Sequence, residues 1–244
     1  MDRVIKESRR GFLIQSASLS LSLPLIGCSI QSLPSLKTAP AISPNPLNVR
    51  EAKVGQSWKY LKINQFNSDP VELIDEQISS IENGQIIISR KGQKSQNLGN
   101  EIQSPFGKLL TDSDWDNNQT YQSAIPLYLD LNQTNISATI QTSYQVGNSS
   151  YRLPIGVTIR QHGWESITIS SGTYIAMKID KVIRFQHNDS TRIDSTRTDR
   201  YWYSPEIGRW VVRETDGKYF YMAGSRRVDG REDFLRYELQ AWSK

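Results

Sequence analysis

The sequence predicts a mainly β fold, a single antiparallel, strongly curved sheet or open barrel with little helix. Three observations predict it. Apolar residues recur with period two over most of the chain beyond residue 49, the pattern of strands with one face buried. Turn-forming pairs punctuate those runs at short intervals, and apolar stripes of helical period are scarce.

Ser57 to Asn67, Val71 to Glu82 and Gln85 to Arg90 read as a first three-stranded run. Asn83-Gly84 between the last two accepts the positive φ of a tight hairpin. Farther on, Ile136, Ala138, Ile140, Thr142, Tyr144 and Val146 alternate with polar residues. After a Gly147-Asn148 turn, Tyr151, Leu153, Ile155, Val157 and Ile159 do the same, so residues 134–160 predict a hairpin. Pro154 predicts an edge position or a bulge there, since proline has no N–H for the ladder.

Thr173, Ile175, Met177, Ile179, Ile183 and Phe185 share one parity, with Lys181 the exception and Gly172 supplying the turn ahead. Arg192 to Tyr203, Arg209 to Thr215, Tyr219 to Ala223 and Phe234 to Trp242 complete a meander, with turns expected at Pro205, Gly208, Asp216-Gly217 and Asp229-Gly230. No internal repeat at a fixed period is present.

The chain divides into residues 1–27, 28–48 and the β-domain 49–244. Arg3, Lys6, Arg9 and Arg10 precede a weakly apolar stretch that Ser16, Ser18, Ser20, Ser22 and Pro24 interrupt. It is too short and polar to span a bilayer, which takes ~20 apolar residues. A basic start, an apolar middle and a small residue before Cys28 fit a signal peptide.

Arg9-Arg10 followed by Phe12-Leu13 resembles a twin-arginine export signal, and Leu25-Ile26-Gly27-Cys28 resembles the lipobox of bacterial lipoproteins. The resemblance implies cleavage before Cys28, acylation of that residue with palmitate among the chains, and a lasting membrane anchor. Two or more acyl chains hold a protein at a bilayer where one holds it only marginally. Ser29, in place of an aspartate, implies the periplasmic side of the outer membrane if the envelope has two membranes, and the outer face of the cell membrane otherwise.

Cys28 is the only cysteine, so its acylation leaves the fold without disulfides or thiolate metal sites. Ser29 to Asn48 carries Pro34, Pro40, Pro44 and Pro46 and reads as an extended tether of roughly 60 Å at ~3.1 Å per residue. An arm lying on the domain is the alternative. The net charge of +4 falls to +2 once residues 1–27, with four basic and two acidic side chains, are removed, so no nucleic-acid partner is expected. Asp189, Asp194 and Asp199 alternate with Arg192, Arg197 and Arg200, which reads as cross-strand pairing on a wet face, with an anion-binding patch as the alternative.

The chain has no Gly-rich phosphate loop, no His-Glu-x-x-His, no Gly-x-Ser-x-Gly and no cysteine pair, so no cofactor is expected. His162 and His187 are the only imidazoles. They read as surface strand ends, with an envelope hydrolase using either one as the alternative to a noncatalytic protein. Asp112, Asp114 and Asp116 have the spacing that opens a calcium loop, but Asn117 stands where glycine belongs and Ser123 where the last glutamate belongs, which makes a solvated turn the plainer reading.

Gly172-Thr173-Tyr174 and, farther on, the run from Tyr201 through Ser204-Pro205-Glu206-Ile207-Gly208 to Val211 resemble a broad set of exported bacterial β-domains, mostly of unknown function. The resemblance covers roughly residues 164–242 and implies a fold like the curved sheets of periplasmic lipoprotein carriers, from which this chain departs by its permanent anchor and the lack of a helical lid. The motif reads as a turn across which Trp202 and Trp210 pack as a cross-strand pair. The functional reading is that Tyr201, Trp202, Tyr203, Trp210, Tyr219 and Tyr221 line the mouth of a cavity on the concave face. Such a cavity suits an apolar or amphipathic ligand, with a lipid or an envelope protein as partner.

Overall fold

The computed structural model describes residues 36–104, 107–115 and 118–243. Arg9, Arg10, Phe12, Leu13, Cys28 and Asp116 lie outside the described residues. The described residues hold strands and no helix: β1 (Lys37–Pro40), β2 (Ser57–Asn64), β3 (Asp69–Glu82), β4 (Gln85–Gly92), β5 (Gln96–Ser104), β6 (Lys108–Asp112), β7 (Gln119–Pro126), β8 (Ile136–Val146), β9 (Leu153–Ile169), β10 (Gly172–Phe185), β11 (Ile193–Ser204), β12 (Arg209–Ala223) and β13 (Arg226–Trp242).

The strands pair antiparallel in the order β9-β10-β11-β12-β13-β2-β3-β4-β5-β6-β7-β8. β8 then returns to β9, from Tyr144 opposite Leu153 to Ile136 opposite Gln161. The sheet therefore closes into a twelve-stranded barrel instead of staying open. Closure leaves no long row of unpaired N–H and C=O groups. β9 runs on past Gln161, and its remaining edge is taken by β1, from Pro40 opposite Glu165 to Lys37 opposite Thr168. Ala41 continues the ladder, its N–H donating to the Trp164 carbonyl at 2.9 Å. Within the stretch read as a tether, residues 37–41 are thus laid along the barrel wall.

The prediction differs from the structure in several places. β5, β6 and β7 were not anticipated, because Asn97, Asn100, Glu101 and Gln103 break the apolar alternation. Asp216-Gly217 lies inside β12 at a register shift, and Asp229-Gly230 lies inside β13; the turn between the two strands falls at Gly224, where φ is 66°. Gly230 serves close approach instead: a Cβ there would come within 2.4 Å of the Tyr219 ring. Pro154 sits neither on an edge nor at a bulge. It is the second residue of a strand paired on both sides, a terminal position where a missing N–H does least harm.

The turns β3–β4, β5–β6, β9–β10 and β11–β12 share one end of the barrel, hereafter the mouth. The β9–β10 turn folds across it: the Ser171 hydroxyl donates to the Leu239 carbonyl on β13, three strands away from β10, at 2.6 Å. Residues 49–56 also cross the mouth, fixed by the Arg50 N–H on the Pro205 carbonyl and the Gly55 N–H on the Ile78 carbonyl, each 2.9 Å. The interior combines apolar layers (Ile155, Val157, Ile159, Ile179, Leu239) with a buried polar centre.

Candidate functional site

The centre of the barrel is ionic. Strand alternation turns Glu76 (β3), Arg90 (β4), Glu101 (β5), Arg197 and Asp199 (β11) and Arg213 (β12) inward, and all are buried, as is Arg209 at the start of β12. Arg209 forms an ion pair with Glu76 through Nε and a two-pronged pair with Glu101, Nη1 to Oε1 at 3.0 Å and Nη2 to Oε2 at 3.1 Å. Arg90 Nε donates to the other Glu76 oxygen at 2.8 Å. Asp114 joins Arg90 to Arg213. Asp199 then accepts from Arg213 at 3.2 Å, Arg197 at 2.7 Å and the Tyr201 hydroxyl at 3.0 Å. Burial alone would raise the Glu76 carboxyl, but Arg209 and Arg90 beside it hold it below its ordinary range.

Lys181, the exception in its strand's apolar parity, does face inward and is 2% exposed. Burial pulls its pKa down to about 8 against the opposing pull of Asp199, Asp112 and Glu101, and its Nζ lies 4.9 Å from the centre of the Tyr201 ring. With charged and aromatic side chains filling the centre, the barrel is a packed body and not a conduit. Its outer wall carries ion pairs such as Lys59–Asp75, Arg200–Asp180 and Arg236–Glu214, which is the reverse of the apolar outer band that a membrane-spanning barrel needs.

One candidate ligand space is at the mouth. A cavity of about 430 Å³ opens between residues 49–52 and the barrel end, walled by Trp58, Ile78, Ile81, Ile86, Ile88 and Tyr203. β3 and β4 position these walls because their inward parity is apolar at the mouth, at Ile78, Ile86 and Ile88, and becomes charged at Glu76 and Arg90 one step deeper, while β2 contributes Trp58. The polar groups at its floor are already engaged. Gln56 Nε2 donates to the Ile207 carbonyl at 3.2 Å, Gln103 donates to Glu101, and Arg209 is held by Glu76 and Glu101. The Tyr203 and Tyr128 rings pack together, with centres 4.8 Å apart. The cavity has an apolar side, formed by Trp58, Ile78, Ile81, Ile86 and Ile88, and a polar side that Arg50, Glu51, Gln56, Gln103 and Arg209 share. A larger cleft, about 840 Å³, lies on the outer wall over β8–β11 and mixes Thr139, Gln141, Thr158, Arg184 and Thr196 with Pro154, Val182 and Ile193.

The six aromatic candidates are dispersed. Tyr203 lines the mouth cavity. Tyr201 and Trp210 stand deeper, with ring centres 5.7 Å apart and the Arg209 guanidinium 3.7 Å over Trp210. Trp202 is on the opposite face of β11, where its Nε1 donates to Glu165 at 2.8 Å. The register shift between Trp202 and Tyr203 sets Trp210 opposite Tyr203 and Val212 opposite Trp202, so the two tryptophans do not form a cross-strand pair. Tyr219 and Tyr221 lie on the part of the β12–β13 hairpin that runs beyond β2, at the end away from the mouth.

The other candidates are bound up locally. Asp112 accepts from the Asp114 N–H at 2.9 Å and the Trp115 indole at 3.0 Å, and Asp114 turns to the arginines, so these carboxylates plug the far end of the barrel. Among the described residues no group of three or more potential ligands could hold a metal ion. His162 is on the outer wall, its Nε2 3.0 Å from Asp180, whose other oxygen takes Arg200 at 2.9 Å. His187 Nδ1 accepts the Asp189 N–H at 2.9 Å. Of the pairing expected on a wet face, Arg197 with Asp199 is instead fully interior, since β11 turns odd positions inward from Ser195 to Tyr203. The cavity walls at Trp58, Ile78 and Ile88 escaped notice, although the Ile86-Ile87-Ile88 run is the densest apolar stretch in β4.

No protein-family model and no curated protein matches the chain. Two solved structures align with it. A Bacteroides fragilis protein described as exported and as having a YmcC-like fold aligns at a TM-score of 0.50 and 10% identity, over 81% of this chain and 99% of that one. A Parabacteroides distasonis protein described as a lipoprotein aligns at a TM-score of 0.45 and 13% identity, over 78% and 96%. The first likeness gives the class: the barrel has the YmcC-like fold.

Proposed function

We propose that this chain is a noncatalytic lipoprotein of a bacterial cell envelope, exported through the signal at Arg9-Arg10 and anchored by acyl chains on Cys28, whose barrel binds an apolar or amphipathic ligand at its mouth. One observation carries the binding half of this reading: a cavity with apolar walls whose floor polar groups already have partners, open to the outside beside Val49 and Ile81. Such a site rewards burial of hydrocarbon against its isoleucine side and leaves Arg50 and Glu51 at the rim for the polar end of an amphipathic ligand. The anchoring half rests on the lipobox at Leu25-Ile26-Gly27-Cys28, and the description of the Bacteroides fragilis neighbour as exported accords with it. Ser29 assigns the periplasmic side of the outer membrane where two membranes exist.

The test has two parts. Cells expressing the full chain are fed labelled palmitate; label is expected on the wild type and absent from Cys28→Ser, and an unlabelled wild type overturns the anchor. Native mass spectrometry of the Cys28→Ser chain is expected to show a copurified apolar molecule that Ile88→Phe, which narrows the cavity, releases. A ligand-free protein, or a ligand indifferent to Ile88→Phe, overturns the binding site.

A further inference from the structure

We propose that the barrel stands with its mouth toward the membrane and that the mouth cavity takes an acyl chain of a phospholipid from the leaflet in which Cys28 is anchored. This rests on the lipidation of Cys28 proposed above.

The first argument is where the chain joins the barrel. β1 pairs antiparallel with β9 so that Lys37 lies opposite Thr168, next to the Ser170-Ser171 turn. That turn folds across the mouth, where its Ser171 hydroxyl meets Leu239. The polypeptide coming from Cys28 therefore reaches the barrel at the same end as the cavity lined by Ile81, Gly107 and Gly208.

The second argument is reach. Nine residue steps separate Cys28 from Lys37, and at ~3.3–3.6 Å a step they span ~30 Å at most. The 14 residues of β3 measure ~45 Å along the strand at ~3.3 Å each, or ~35 Å along the barrel axis for a tilt near 40°. With the mouth turned away, the tether would be used up along the barrel's height before meeting the bilayer. With the mouth turned down, the whole of that length is spare.

The third argument is the chemistry of the rim. Val49 and Ile81 line the opening and are 46% and 41% exposed, an apolar lip at the point where hydrocarbon would enter. Around it Arg50, Lys53 and Lys108 balance Glu51, Glu82 and Glu206, so an anionic leaflet does not repel this end. With Gln56, Gln103 and Arg209 already engaged, the floor offers no grip on a headgroup, and the acyl chain is the part that fits. A mouth held at the bilayer lets that chain pass from one apolar surroundings to another without exposing its methylenes to water.

The experiment reconstitutes the full, acylated chain into vesicles of phosphatidylethanolamine and phosphatidylglycerol whose acyl chains carry bromine, a contact quencher of indole. Trp58 walls the cavity and Trp115 sits at the opposite end, so both reporters are native. Trp58→Phe is expected to remove several-fold more of the quenched emission than Trp115→Phe. The exposed change Ile81→Gln, which should not disturb folding, is expected to halve the Trp58 quenching. Quenching carried mainly by Trp115 overturns the orientation, and Trp58 quenching indifferent to Ile81→Gln overturns the acyl occupant. If the Cys28→Ser chain still copurifies with a lipid in either case, the ligand-binding reading stands and only the present proposal falls; if it does not, both fall.

Discussion

Arg209 on β12 and Glu101 on β5 meet in a two-pronged ion pair, 3.0 and 3.1 Å, although their strands stand five places apart in the sheet. In a barrel of twelve strands that is close to the full width, so the pair is a strut across the interior with Glu76 and Trp210 braced against it. Its worth is asymmetric. Removing one partner strands a buried charge, whereas replacing both with hydrocarbon of similar volume is often neutral.

Glu101→Gln is accordingly expected to lower unfolding stability by ~3–5 kcal/mol, and Glu101→Leu with Arg209→Met to recover part of that loss. Recovery will be incomplete, because Arg209 also pairs with Glu76. Urea unfolding of the single and double variants decides it, and a double variant no better than Glu101→Gln would show that the strut is worth more than its desolvation.

Lys181 gives a pH signature. Its folded-state pKa of about 8 lies below its ordinary 10.5, so between those values the unfolded chain binds more protons and stability rises with pH. Below about 8 both states are protonated and the slope from this group vanishes. Buried tyrosines, Tyr60 and Tyr201 among them, are pushed above 10.0 and act in the opposite sense at the alkaline end. The comparison of interest is therefore wild type against Lys181→Met between pH 7 and 10: the variant is expected to lose the rise and to be the more stable protein at pH 7. Parallel pH profiles would contradict the burial of this amine.

Gly230→Ala is expected to destabilise the barrel by ~1–3 kcal/mol, the usual range for overpacking. The new methyl group would collide with the Tyr219 ring that now covers the bare backbone. Thermal unfolding of Gly230→Ala in a Tyr219→Ser background should show little further loss. An equal loss in both backgrounds would place the cost in the backbone instead.

Asp114 is engaged by the guanidiniums of Arg90 and Arg213. Millimolar calcium is expected to leave the melting temperature unchanged, while Asp114→Asn, which weakens the link from Arg90 to Arg213, lowers it by several degrees. A calcium-dependent rise in melting temperature in the wild type would restore the ligand reading.

Most of the fold was legible because its signal is local. The Ile136–Val146 and Leu153–Ile159 alternation and the Asn83-Gly84 turn each report on a single hairpin, and hairpins carry most of this topology. Closure was not legible: it depends on β13 pairing with β2, distant segments whose mutual register no local pattern announces. Charged inward positions were the other blind spot. Arg197 and Asp199 look like surface residues until Arg213 and Asp114, distant in sequence, arrive to satisfy them. The aromatic signature drew attention to residues that mostly pack the interior, while the cavity is walled by ordinary isoleucines whose role depends on which end of the barrel they occupy.

The seam between β13 and β2, where Leu235 meets Asn64, joins segments about 170 positions apart. A ribosome making this protein must therefore deliver nearly all of it before the ring can shut. Until then β2 to β8 form a growing ribbon with raw edges, and the inward arginines and carboxylates have only part of their company. Such a ribbon invites pairing with its neighbours, and its safety depends on how promptly the last strand follows the first.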